Sequence, residues 1–332
     1  MTKTVSIKDV ANQLGVSVAS VSLALNGKSK KGRVSDALTE KIRITAKAMN
    51  YKPNSFAKGL RSGRSETIGL ILADISNPFF AHLAFHVQEN AEKCGYSVII
   101  TNTNFDIDKM RRMISVLKSH QVDGFIIVPT EHSEKLVEQL VMEKYPVVLL
   151  DRYFMDIDVS YVCVNNYHAS MEATNLLLNM NCQRIAQVII KDTSHHMQER
   201  KKGYIDAMTH RGLYDPKLIK EVNFTTLVND VQKVIVDLVS SKEKVDGIFF
   251  TNNTTCVIAL KTLIKLQLKI PKDIKVVCFD KSDFFDLSNI SIPYIEQPIS
   301  EMGRRAVELL IRKINKEDEH NVFEELQTTL MW

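Results

Sequence analysis

The sequence predicts an all-α helix-turn-helix head joined to a two-lobed α/β body built on parallel sheets. Three observations carry that expectation. Positive charge gathers at the N-terminus: residues 1–66 hold 13 Lys or Arg against 4 Asp or Glu, a balance of +9, while the remainder holds 30 against 35, a balance of −5. Residues 6–49 place apolar side chains at helical spacing, interrupted by a glycine. From residue 68 onward, short apolar runs alternate with amphipathic helical patterns, and the rhythm occurs twice. A chain of 332 residues is also too long for one ordinary core, since single domains cluster at roughly 100–200 residues.

The head is read from SIKDVANQLGVSVASVSLALNG. Ser6 and Asp9 form an S-x-x-D helix start, and Val10, Ala11 and Leu14 follow at helical spacing. Gly15 breaks this helix and Ser17 caps the next, which sets Val21, Ala24 and Leu25 on one side. Leu38, Ile42, Ala46 and Met49 close a three-helix core. The spacing Ala11, Gly15, Val21 is that of a bihelical DNA-binding unit: a small residue lets the helices approach, glycine permits the turn and valine packs beneath both. Charge alone fits a solvated surface as well as a polyanion partner, whereas spacing and charge together point to DNA.

The face opposite Val21 carries Ala19, Ser22, Leu23 and Asn26, with Val18 at its boundary. No Lys, Arg or Gln stands there. Methyl groups of that face suit the thymine methyl, Ser17, Ser20 and Ser22 suit phosphates, and Asn26 suits a base edge or the backbone. Such a helix reads sequence weakly, so further specificity has to come from elsewhere. The segment YKPNSFAKGLRSGRS reads either as a flexible linker or as a two-turn helix capped by Asn54, with Ala57 and Leu60 on one face. So short a helix is marginal alone in water and would order on DNA.

These stretches resemble the LacI/GalR family of bacterial transcription regulators. The resemblance rests on IKDVANQLGVS, SVSLALNG, the run from Arg33 and Val34 through NYKPN, and AKGLRSGRS. It implies domains at 1–53 (DNA-binding), 54–66 (hinge helix and linker) and 67–332 (effector binding and dimerisation). It also implies that Leu60 wedges open the central base step in the minor groove and that Ala57 lines it. Leu23 stands where many members carry arginine.

In the body, IGLIL, YSVIIT, GFIIV and PVVLL make one set of strands, and RIAQVII, IKEVNF, GIFF and IKVVCF make another, with YVCV near the first crossover. Continuous apolar strands separated by helical patterns such as Leu83, Val87, Ala91 and Cys94 mean parallel sheets covered on both faces. The expected lobes are about 67–164 plus about 298–332, and about 165–297. Ligands in such sheets bind beyond the carboxyl ends of strands, where Asn102, Asp151, Asn165, Asn166, Asn252 and Asp280 stand. These residues suit helix caps, and they suit a polyhydroxylated ligand.

The body resembles the periplasmic-binding-protein-like (type I) effector domain of the same family. That resemblance implies effector contacts at Asp151, Arg200, Asn252 and Asp280, and aromatic walls at Phe79, Phe80 and Phe224, for which a core role is equally open. Asn253, Cys256, Ile258 and Pro293-Tyr294 depart from the usual family residues. A neutral or acidic sugar comes first among effectors, then a nucleobase, then a protein co-regulator. The reading is a homodimeric, effector-switched repressor of a carbohydrate-use operon that binds double-stranded operator DNA.

Other signals narrow the classes. The five cysteines lack CxxC pairing and read as buried, reduced thiols. His195-His196 has no further ligand at useful spacing and reads as a solvated loop, and KEDEH (316–320) as a solvated helix end. No P-loop, GxSxG, HExxH or GxGxxG occurs, so neither an enzyme nor a cofactor is expected. No apolar run reaches the ~18 residues of a membrane span, and the start MTKTVSIKDV lacks a signal peptide's apolar core. A cytoplasmic protein is expected rather than a solute receptor. The end at Trp332 without a heptad tail favours a dimer over a tail-built tetramer.

Overall fold

The computed structural model describes residues 5–25, 29, 34–51, 64–287, 291–318 and 320–332. The chain divides into two compact units, Met1–Ser65 and Glu66–Trp332. In the first, α1 (Ile7–Leu14), α2 (Val18–Leu25) and α3 (Asp36–Ala48) enclose a small core of Val10, Ala11, Val21, Ala24, Ile42 and Ala46. The capping box is present: Asp9 N–H donates to Ser6 Oγ and Ser6 N–H donates back to Asp9 Oδ2 at 2.8 Å. Gly15 ends α1 at φ 63°, a left-handed conformation that costs glycine nothing sterically. Ser17 Oγ accepts the Ser20 N–H at 3.1 Å and so caps α2.

The second unit contains two six-stranded sheets. In chain order its first part is β1 (Thr67–Leu72), α4 (Pro78–Lys93), β2 (Ser97–Asn102), α5 (Ile107–Ser119), β3 (Gly124–Ile127), α6 (Glu134–Met142), β4 (Val147–Leu150) and β5 (Tyr161–Val164). The second part is α7 (Asn166–Asn179), β6 (Ile185–Ile190), α8 (His195–His210), β7 (Ile219–Val222), α9 (Leu227–Ser240), β8 (Gly247–Phe250), α10 (Asn253–Lys265), β9 (Lys275–Phe279), α11 (Asp283–Leu287) and β10 (Tyr294–Glu296). A single 3₁₀ turn, Pro216–Leu218, precedes β7. The chain finishes with α12 (Ile299–Asn315), β11 (Phe323–Leu326) and β12 (Thr329–Met331).

Strand order is β11-β5-β4-β3-β1-β2 in one sheet and β12-β10-β9-β8-β6-β7 in the other. Every pairing is parallel except β10 with β12. All four residues of β3, of β4 and of β8 are buried, as strands covered on both faces require. The chain crosses between lobes three times: after β5, after β10 and after β11.

The last crossing corrects the expectation that 298–332 stays with the first lobe, because β12 pairs with β10 in the second. Its sequence hid this: β11 and β12 are short, and every other residue is exposed, so neither has the apolar run that marks the inner strands. Two further expectations change. Cys94 is exposed where α4 ends, while the other four free thiols are buried. In KEDEH the Asp318 side chain is largely buried and accepts from Arg312.

The second lobe depends on a close helix contact. A Cβ at Gly203 in α8 would lie 2.3 Å from Tyr167 O and 3.0 Å from Met171 N of α7. Gly203→Ala is therefore expected to lower unfolding free energy by about 1–3 kcal/mol, measured by urea titration, because backbone cannot yield as a flexible side chain can.

Candidate functional site

The carboxyl ends of both parallel sheets face a cavity of about 270 Å³ between the lobes. Phe79, Phe80, Asp151, Arg200, Phe224, Asn252 and Asp280, the seven residues that the family resemblance implies for the effector, all line it, whereas the strand-end Asn102 does not and accepts the Ile75 N–H at 3.0 Å. A few local devices bring them there. Asp151 directly follows β4 and Asp280 directly follows β9, both at positive φ (69° and 73°). The Asp151 N–H donates to Val162 O and the Asp280 N–H to Ile295 O, each at 2.9–3.0 Å, so the neighbouring strand fixes the turn. Asn252 caps α10 through its side-chain oxygen, which accepts the Thr255 N–H at 2.9 Å. Asn77 caps α4 in the same manner and seats Phe79 and Phe80, whose rings meet edge to face at 5.0 Å.

Arg200, in the second turn of α8, is buried at the base of the cavity. Its Nε donates to Asn166 Oδ1 at 2.8 Å, Nη1 donates to Thr251 O at 2.6 Å, and the guanidinium carbon lies 3.4 Å from the Phe279 ring centroid. Burial lowers its pKa, opposed by the charges of Asp280 and Asp151. Burial raises the Asp151 carboxyl against the opposing charges of Arg152 and Arg200. It raises Asp280 to about 6, opposed by Arg200 and by Gln297, whose Nε2 donates to Asp280 Oδ1 at 2.6 Å.

Contacts between the lobes flank the cavity. Phe105, beyond β2, meets Phe224, beyond β7, edge to face at 4.5 Å. Thr193 N–H donates to Glu131 Oε1 at 3.0 Å, and Asn77 Nδ2 donates to Asn253 Oδ1 at 3.5 Å. Phe224 stays 44% exposed, so it forms a rim and not a core contact; Phe79 and Phe80 are buried and line the cavity as well.

Sequence reasoning missed Arg152, His196 and Gln297, which also line the cavity. Arg152 was within reach, being the neighbour of Asp151. His196 corrects the expected solvated loop: it sits in the first turn of α8 and is 4% exposed. Asn165 and Asn166 serve structure, the first capping α7 and the second holding Arg200. Among the described residues no group of three or more His, Cys, Asp or Glu could hold a metal ion.

In the head, Ser17, Val18 and Ala19 are exposed, and Ser20, Ser22 and Leu23 are half-buried. This leaves the N-terminal part of α2 open on the side away from Val21 and Ala24. Asn26, Asn54, Ala57 and Leu60 lie outside the described residues.

Residues 6–54 match the family model for bacterial regulatory proteins of the lacI family, and residues 65–329 match that for periplasmic binding proteins and the sugar binding domain of the LacI family. The chain belongs to the LacI family. This LacI-family regulator is 33% identical to a ribose operon repressor of Halalkalibacterium halodurans over 98% of this chain and 95% of that one. It is 26% identical to a periplasmic binding protein/LacI transcriptional regulator from Alkaliphilus metalliredigens QYMF complexed with D-xylulofuranose, covering 80% of this chain and 97% of that one, with a TM-score of 0.70. The lac repressor dimer bound to operator and the anti-inducer ONPF shares the fold, with a TM-score of 0.88 at 19% identity over 99% and 98% of the two chains. The family consists of DNA-binding transcription regulators and not of enzymes. Among the described residues no helix is long and apolar enough to cross a membrane.

The raised Asp280 pKa has a measurable consequence. The folded protein binds this proton more tightly than the unfolded chain does, so stability falls as pH rises from the ordinary value of 3.8 through about 6 and levels off above it. The stability difference between Asp280→Asn and the parent, followed by urea titration, should grow across that window in favour of the variant and then stay flat.

Proposed function

We propose that the chain represses a carbohydrate-use operon and that a monosaccharide held between the lobes switches its grip on the operator. The observation that carries this is the cavity between the lobes whose floor holds Arg200 near two buried carboxylates, Asp151 from one lobe and Asp280 from the other. At about 270 Å³ it falls just below the ~300–1,000 Å³ of drug-sized ligand sites, which suits a single sugar ring better than an oligosaccharide. Carboxylate and amide side chains from separate strand ends suit vicinal hydroxyls, and the aromatic walls suit the apolar face of a sugar. The relatives named for ribose and complexed with D-xylulofuranose support a pentose.

The proposed mechanism is differential binding. A ligand that bridges Asp151 and Asp280 favours the closed arrangement of the lobes over an open one. In a homodimer working in the cytoplasm, that preference alters how the two hinge segments pair, and with it the entry of Leu60 into the minor groove. A coupling of about 1–3 kcal/mol is enough to regulate transcription. At the head, the exposed Val18 and Ala19 give methyl contacts, Ser17 and Ser20 give phosphate contacts, and the kinked step supplies the remaining specificity.

Melting curves recorded with D-ribose, D-xylulose, D-xylose and D-glucose should show stabilisation by a pentose, and the shift should vanish in Arg200→Ala and in Asp280→Asn. A shift that survives both would reject the cavity as the site. Fluorescence anisotropy with an operator duplex should show Leu60→Ser losing specific binding at least roughly tenfold more than non-specific binding, since the wedge acts only where the base step kinks.

A further inference from the structure

Outside the cavity, a row of rings runs across the first lobe and ends on the second. Exposed Phe323 of β11 leans on Tyr161 of β5, with ring centroids 5.2 Å apart. Tyr161 stacks on Tyr153 at 4.0 Å with the planes 11° apart. The Tyr153 O–H donates to the Tyr161 hydroxyl oxygen, and burial raises the Tyr153 phenol, which keeps that proton in place. Stacking and a hydrogen bond together fix this ring to the first lobe. Its next neighbour in the row is His195, the first residue of α8 in the second lobe, met edge to face at 5.0 Å.

The position of this pair in the chain gives it leverage. Tyr153 stands two residues after Asp151, and His195 stands beside His196 and one turn before Arg200. Asp151, Arg152, His196 and Arg200 line the cavity, whereas Tyr153 and His195 do not. Each lobe thus turns part of one short segment toward the cavity and another part toward the ring row. The contact between Asn77 and Asn253, that between Glu131 and Thr193, and that between Phe105 and Phe224 each involve a residue of the cavity wall, where a ligand enters. The Tyr153–His195 contact ties the exit of β4 to the first turn of α8 clear of the ligand space.

We propose that Tyr153 and His195 are a positioning pair whose contact holds the lobes together from outside the cavity, and so sets how strongly the cavity takes its effector without touching it. This rests on the effector-switched reading given above. An edge-to-face ring pair shifts the ratio of lobes together to lobes apart by a factor of roughly 2–10. Apparent affinity scales with the fraction of molecules in the binding-competent arrangement, so the same factor passes to every ligand alike. Tyr161 and Phe323 serve by holding Tyr153 in place.

Single-molecule energy transfer on the full-length, ligand-free protein tests the pair directly. Cys94 is the exposed thiol among the five, so one dye goes there on the first lobe and the other on Lys217→Cys, an exposed position of the second. Excess unlabelled parent leaves one labelled copy per dimer. The parent should show two distance populations, and His195→Ala and Tyr153→Leu should each shift their ratio roughly 2- to 10-fold in the same sense. The double variant should lose no more than the larger single loss, because both changes remove one contact. His195→Phe, which restores a ring, should return to the parent ratio. A single population in the parent, an unmoved ratio, or losses that add in the double variant would overturn the proposal. Isothermal titration and stopped-flow with D-ribose, D-xylulose and D-xylose give the second readout: each sugar that binds should weaken by that same factor, through faster release. A loss that differs from sugar to sugar would mean ligand contact and would overturn the positioning role, whereas damage to the fold would lower the number of sites and not their affinity. No heat with any of the three sugars would reject the carbohydrate reading and leave the pair to be decided by the distances.

Discussion

A buried guanidinium is the constraint on which the effector domain turns. Removing an ion from water costs several kcal/mol, so a buried Arg200 needs partners for its donors and opposing charge nearby. The answers come from the crossover into the second lobe (Asn166), the end of β8 (Thr251), the last residue of β9 (Phe279) and the two carboxylates at the strand ends. Its own carbonyl is held as well, accepting from Ser170 Oγ at 2.5 Å and from Gln187 Nε2 at 3.1 Å. The α7–α8 approach at Gly203, one turn further along, makes that spacing possible. Displacing α8 would therefore disturb the floor of the cavity before it disturbed the sheet.

Coupling between the lobes has a different character. Neither lobe is one stretch of chain, and the three crossings join them side by side. Across the cleft the contacts among the described residues are partly exposed: Glu131 with Thr193, Asn77 with Asn253 and Thr254, and the edge contacts of Phe105 with Phe224 and of Tyr153 with His195. Single bonds of that kind contribute on the order of 1 kcal/mol each. Such contacts tie the lobes together weakly, so a ligand that touched both floors would add appreciably to them.

Legibility in the sequence followed how far each residue's role was local. Val10, Ala11, Gly15 and Val21 declare the head because their spacing alone fixes two crossing helices. Asp151, Asn252 and Asp280 declare the cleft because each stands next to an apolar run whose carboxyl end must face a ligand crevice. His196 was misjudged because it is buried in the first turn of α8 beside the cavity, a tertiary setting that no local pattern records. Gln297 was missed because β10 has three residues and no apolar run to mark the position just beyond its end. β12 was misplaced because the chain runs on from β11 into the second sheet with two residues between the strands, so β12 enters antiparallel to β10, and neither strand has an apolar run to mark the change of sheet. Asn165 and Asn166 show the opposite error, a strand-end polarity that serves caps and supports instead of ligand.

The left-handed backbone at Asp151 and Asp280 limits how such a site diversifies. At φ of 69° and 73° most side chains pay a steric penalty, which Gly escapes and Asn and Asp largely avoid. Substitution at Asp151 and Asp280 is therefore filtered by the backbone, whereas lining residues such as Phe224, which carries no positive φ, escape that filter. The backbone thus limits which side chains these two strand ends can present to the cavity before any ligand enters the question.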